Sequence, residues 1–182
     1  MNRFELLRPC KNTVSGANNY RLGLGLNVFN YQQALEVRDA FERHEARYLF
    51  LGKSGAVLLG FPDTTQDVDL FVEKSSGNAE KLIKALSDLE FTLTERQIVA
   101  IQTGQDFVQL KNGPFDLDLI FAPDGIETFA EAWARQIVVD GFRVCSLDDI
   151  IASKEATGRK KDLESLPRLK EFRIWWKRQQ VS

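Results

Sequence analysis

A single histidine, His44, stands among 182 residues, and that scarcity closes off many familiar chemistries. A Ser-His or Cys-His hydrolase, or a histidine-ligated metal centre, would depend on this one imidazole. His44 falls in the stretch 31–47, where Ala34, Val37, Phe41, His44 and Tyr48 recur at helical spacing, so it reads as a hydrogen-bonded residue at the core margin. Cysteine is nearly as scarce. Cys10 and Cys145 are far apart and lack Cys-x-x-Cys spacing, which argues against a disulfide framework or zinc site and for a reducing cytoplasm. No apolar run reaches the ~18 residues of a membrane span, and the start, MNRFELLRPCKN, lacks a signal-peptide core, so no membrane association is expected. A net charge of -2 gives no global reason to bind nucleic acid or anionic lipid. Low-complexity segments and internal repeats are absent.

What is present suits one ordinary globular domain over residues 1–182, with 146–182 as its helical C-terminal part. Apolar residues make up 43% and charged residues 27%. A chain of this length buries roughly 70% of its unfolded surface, so it folds without disulfides or metal. The first 28 residues are the hardest to read, because Gly16, Gly23 and Gly25 break any sustained period; they are expected to serve as packing or as a lid.

The pattern then becomes regular. After the 31–47 helix comes an apolar strand at 48–51, a break at Gly52-Lys53-Ser54-Gly55, a small apolar segment at 56–59, a turn at 60–65 and a strand at 66–73. Ser75 to Asn78 open a helix with Ala79, Leu82, Ile83, Leu86 and Leu89 on one stripe. Residues 97–103 and 106–111 read as two strands joined around Gly104, and Asn112-Gly113 turns into a third strand, 115–121. A helix bearing Phe129, Ala132 and Trp133 precedes a hairpin turned by Asp140-Gly141. Ser146 to Asp149 fit a capping box for a helix that ends at Gly158. A basic turn, Arg159-Lys160-Lys161, leads to Asp162 and a last helical region interrupted at Pro167, with Leu166, Leu169, Phe172, Trp175 and Trp176 as packing residues.

Two strands carry carboxylates in a telling way. Asp67 and Asp69 alternate with Val68, Leu70 and Val72, so both project from one face, about 6.6 Å apart along the strand. Asp118 stands among apolar residues in the later strand. If all three converge, like charges ~4 Å apart repel by about 1 kcal/mol in water and about 4 kcal/mol near a protein surface, so a cation or basic partner is called for. All-oxygen sites of this kind suit magnesium or manganese. The alternative is that the three carboxylates decorate a solvated face and never meet. Lys154 adds a second signal: it continues the inward stripe of Leu147, Ile150 and Ile151, where an ammonium needs an anion or water. Gly52-Lys53-Ser54 is not a Walker loop, since no glycine lies in 47–51.

The ordered set of Gly52, Phe61-Pro62, Thr65, Asp67, Asp69 and Asp118-Leu119-Ile120 resembles the DNA polymerase beta-like nucleotidyltransferase superfamily, closest to its small bacterial AbiEii-toxin-like members. The resemblance covers roughly residues 34–169. It implies an α/β (α+β) fold with a mixed sheet, helices packed on one face and a helical C-terminal end. It implies transfer of a nucleoside monophosphate from a nucleoside triphosphate to an acceptor hydroxyl on an RNA end, a protein or a small molecule. Asp67, Asp69 and Asp118 would be catalytic and hold Mg2+ or Mn2+, while Gly52, Lys53, Ser54, Thr65 and Lys154 would bind the nucleotide. Lys154 would reach the nucleotide or the acidic centre. Two residues depart from the pattern: Lys53 replaces a glycine or serine, and Asp63 stands where an arginine precedes Thr65. A catalytically silent binding module, or a toxin-antitoxin-type protein partner, is the competing expectation.

Overall fold

The computed structural model describes residues 28–180. Readings made on the earlier residues, Cys10, Gly16, Gly23 and Gly25 among them, lie outside the described residues. The chain builds a mixed α/β fold with a helical end. Helix α1 (Tyr31–Arg43) leads to strand β1 (Tyr48–Phe50), helix α2 (Gly52–Leu58) and strand β2 (Val68–Val72). Helices α3 (Ser76–Asp88) and α4 (Glu95–Thr103) precede strands β3 (Phe107–Leu110) and β4 (Leu117–Ile120). Helix α5 (Phe129–Ala134), the hairpin β5 (Ile137–Val139) and β6 (Phe142–Val144), and helices α6 (Leu147–Thr157) and α7 (Lys160–Gln180) complete it.

The six strands form one sheet in the order β3-β4-β2-β1-β6-β5. β1 pairs antiparallel with β2 and parallel with β6, while β2 and β4 run parallel. Antiparallel edges close both sides, β3 on β4 and β5 on β6. The β5–β6 turn is as expected: Asp140 and Gly141 both take positive φ, 48° and 81°, the twist a two-residue hairpin requires.

β1 explains the layering. Tyr48, Leu49 and Phe50 are all buried, so both faces of the central strand need cover. On one face, Phe41 of α1 meets the Tyr48 ring at 4.9 Å and Tyr31 meets Phe142 at 5.2 Å. On the other, Phe129 of α5 meets Phe71 at 5.1 Å and Arg143 reaches over Trp133. The helices therefore cover both faces, not the one expected.

Four local expectations change. Residues 97–103 form helix α4: its run of consecutive apolar residues is ambiguous by period, and the caps decide it. Thr94 and Gln97 make a reciprocal capping box, and Gly104 ends the helix in the left-handed conformation. The 56–59 segment belongs to α2, and helix α7 runs through Pro167. Trp175, expected to pack, is exposed and lies against the Phe172 ring. Helix α1 ends at Arg43, and His44 caps it, its Nε2 2.9 Å from Asp88 Oδ2, at the core margin. Among the described residues, no helix is long and apolar enough to cross a membrane.

Candidate functional site

The alternation in β2 does what its pattern requires. Val68, Leu70 and Val72 are fully buried on one face, and Asp69 emerges on the other. Parallel pairing then sets Asp69 directly opposite Asp118, with Val68 opposite Leu117 and Leu70 opposite Leu119. The two acids stand side by side although 49 positions separate them.

Asp69 is fixed by the start of α2. Leu51 N–H donates to the Asp69 carbonyl at 2.9 Å, and Asp69 N–H donates to the Ser54 hydroxyl at 3.1 Å. The same hydroxyl donates to the Leu51 carbonyl at 3.0 Å. Ser54 is thus fully buried and fully engaged. Expected as a nucleotide contact, it instead pins α2 to β2. Gly52 has φ +60°, and a Cβ there would collide with the Asp69 carboxylate, so this position demands glycine twice over.

These residues open onto a cleft of about 570 Å³. That size accommodates a small-molecule ligand. Asp67, Asp69 and Asp118 form its acidic wall; Lys53, Lys154, Arg159 and Lys161 supply positive charge; Phe107, Ile120, Ala122 and Pro123 add an apolar side. Thr65 and Gly52 also line it. The structure thus brings every expected site residue except Ser54 to one cleft.

The electrostatics are strained on the acidic side. Burial, then the neighbouring Asp118, pushes the Asp69 carboxyl up to about 7, with Lys154 pulling the other way. Burial also raises Asp118 to about 6, against Gln109 across the β3–β4 ladder and with Asp67 adding to the rise. Asp118 Oδ1 is buried with no hydrogen-bond partner. An orphaned carboxylate oxygen beside a second acid on the paired strand fits a hard divalent cation. Among the described residues, however, no three acid, histidine or cysteine side chains are already gathered as a metal-ligating group.

Lys154 is buried as its stripe requires, but its bonded partner is not in the acidic strands. Its Nζ donates to Asp162 Oδ1 at 2.7 Å, and Arg159 Nε donates to Asp162 Oδ2 at 2.9 Å. Burial pushes the Asp162 carboxyl up, yet these two cations outweigh it and hold the group below its ordinary value. Asp162 and Arg159 are cleft residues that the sequence reading did not assign. The signal was available: a lysine on an apolar stripe needs an anion, and Asp162 lies just past the Gly158 turn that reverses the chain.

The two departures from the resembling pattern face each other. Lys53 Nζ lies 3.7 Å from Asp63 Oδ2. Arg168 of α7 approaches the same oxygen at 3.3 Å and donates to the Pro62 carbonyl at 2.8 Å.

No protein-family model matches the chain, and no curated protein matches it.

Proposed function

We propose that this cleft binds a nucleoside triphosphate with magnesium or manganese and transfers its nucleoside monophosphate to an acceptor hydroxyl. The observation that carries the reading is the side-by-side pairing of Asp69 and Asp118, one of whose carboxylate oxygens is buried without a partner, in a cleft that also presents four cationic side chains. An acidic wall suits a cation and a basic wall suits a phosphate chain. The resemblance in the order Gly52, Thr65, Asp67, Asp69 and Asp118 supports the same reading.

Asp67, Asp69 and Asp118 would hold the metal, which supplies charge neutralisation at the phosphates and acidifies the attacking hydroxyl. Asp118, paired with Asp69 across β2 and β4 in the same cleft, is placed to help position that hydroxyl and take its proton. Lys53 and Lys161 offset phosphate charge at the rim, and Lys154, tied to Asp162, lends positive potential from below. Gly52 lets the phosphate chain approach the β1–α2 turn beside Asp69.

A second reading, a nucleotide-binding module without transfer that acts on a protein partner, rests on the two residues that depart from the resembling pattern, Lys53 and Asp63, which face each other. Each of the four α-32P-labelled nucleoside triphosphates, with magnesium or manganese, separates the two when incubated with the protein alone and with added RNA, protein and small-molecule acceptors. Label transfer abolished by Asp69→Asn and by Asp118→Asn supports the transferase. Nucleotide binding with no transfer supports the module, and no binding overturns both.

A further inference from the structure

We infer that Asp63 is a positioning residue that sets the phosphate affinity of the cleft by holding Lys53 at its rim. This rests on the reading that the cleft receives a phosphate chain. Lys53 is the second residue of α2 and lines the cleft, whereas Asp63 lies behind it and does not. The separation of 3.7 Å between Lys53 Nζ and Asp63 Oδ2 is an electrostatic tether longer than a charge-assisted hydrogen bond. The ammonium therefore keeps its donors for another anion.

The anion end of the tether is fixed from several directions. Thr64 N–H donates to Asp63 Oδ1 at 2.7 Å, and Asp63 N–H donates to the Phe61 carbonyl at 2.8 Å. Arg168 shares Oδ2, is anchored by its bond to the Pro62 carbonyl and lies over the Phe61 ring at 5.3 Å. Phe61 in turn packs on Phe172 of α7. A free lysine stem loses rotamer entropy when it is captured by a ligand, and a fixed counter-ion beside the rim removes part of that cost in advance. Arg168 also takes up part of the Asp63 charge, so the tether does not hold Lys53 too tightly.

The test is calorimetric titration of the full chain with inorganic tripolyphosphate and magnesium, beside thermal melts of each variant. Lys53→Met and Asp63→Asn are each expected to weaken binding about five- to tenfold. The double variant should bind no more weakly than Lys53→Met alone, and Asp63→Glu should recover most of the loss. Removing a carboxylate near a polyanion site raises affinity if only net charge matters, so the expected loss in Asp63→Asn has the opposite sign to a bulk charge effect. Wild-type or tighter binding in Asp63→Asn overturns the inference. So does a loss that adds fully to that of Lys53→Met and follows the fall in melting temperature. A wild-type protein that binds no tripolyphosphate overturns the phosphate reading and this inference with it, whereas wild-type binding with an unaffected Asp63→Asn variant overturns this inference alone.

Discussion

Asp69 and Asp118 occupy paired positions on two parallel strands, so their carboxylates stand side by side in the cleft. A cation relieves their mutual repulsion only in the folded state. Magnesium or manganese is therefore expected to raise thermal stability by mass action, by about 2.7 kcal/mol at a hundredfold excess over the dissociation constant. For a domain of this size that is a rise of roughly 5–10 °C. Melting with and without metal checks it. Asp67→Asn combined with Asp69→Asn should leave the apo protein folded and remove the metal-dependent rise; an unchanged rise rejects the site.

Burial of Asp69 and Asp118, with neighbouring carboxylates adding to it, gives the metal-free protein a distinctive pH response. Asp69 and Asp118 are raised in the folded state to about 7 and about 6, above the ordinary 3.8. The folded form therefore binds protons that the unfolded chain releases between those values. Their contribution to stability is fully present below about pH 4 and is lost as pH rises through 6 to 7. Asp88, Asp148 and Asp162 are held below 3.8 and act with the opposite sign, losing their contribution as pH falls further. Urea midpoints in chelator from pH 4.5 to 7.5 should fall for the wild type and fall much less for Asp69→Asn. Parallel slopes for the two proteins refute the assignment.

Lys154 was expected to matter for nucleotide binding while sparing the fold, and its bond to buried Asp162 changes that. Lys154→Met leaves a buried carboxylate with Arg159 as its one remaining bonded cation, a loss of about 3 kcal/mol by analogy with broken buried pairs. Adding Asp162→Asn should restore part of the stability. Denaturant melts of the two single variants and the double variant give the coupling directly, and simple additivity would mean that the pair does not act as one.

Ser54 is expected to behave as a staple. Ser54→Ala orphans the Asp69 N–H in the interior, costing about 1–3 kcal/mol, and loosens Asp69. Melts should fall, and metal affinity should fall with them. Ser54→Gly, which also lacks the hydroxyl, should do no better.

Among the described residues the Tyr48 hydroxyl is also buried without a hydrogen-bond partner, and it lies within an aromatic cluster with Phe41 and Phe50, outside the residues that line the cleft. Tyr48→Phe removes an unmatched polar group while keeping the ring. It should leave stability unchanged or raise it by about 1 kcal/mol, without effect on metal or phosphate binding. A large destabilisation would show that the hydroxyl has a partner after all.

What could be read in the sequence followed from strict alternation and from caps. The acids of β2 and β4 announced their common face because valine and leucine filled the other. Asp140-Gly141 announced its hairpin because few residues tolerate two positive φ values. Period failed for 97–103, where apolar residues run consecutively, and only the Thr94–Gln97 box could have decided. The ends of the ion pairs were less legible. Nothing local links Asp63 to Arg168, 105 positions later, because their meeting depends on how α7 returns across the turn. Ser54 misled for a related reason: a serine in a glycine-rich turn looks the same from sequence whether its hydroxyl faces ligand or the backbone of the next strand.

The parallel pairing of β2 with β4 also protects itself against misalignment. A slip of β4 by one residue would bring Leu117 or Leu119 to the acidic face and drive Asp118 into the layer now filled by those leucines, both fully buried. An ionised carboxylate in that layer, with two leucines stranded in water, costs far more than the crowding it would relieve. The register that strains the two acids thus keeps the interior of the sheet dry, which a one-residue slip would not. Any exchange of Asp118 for an apolar residue should, by the same logic, loosen the alignment of β4 even as it relieves the charge.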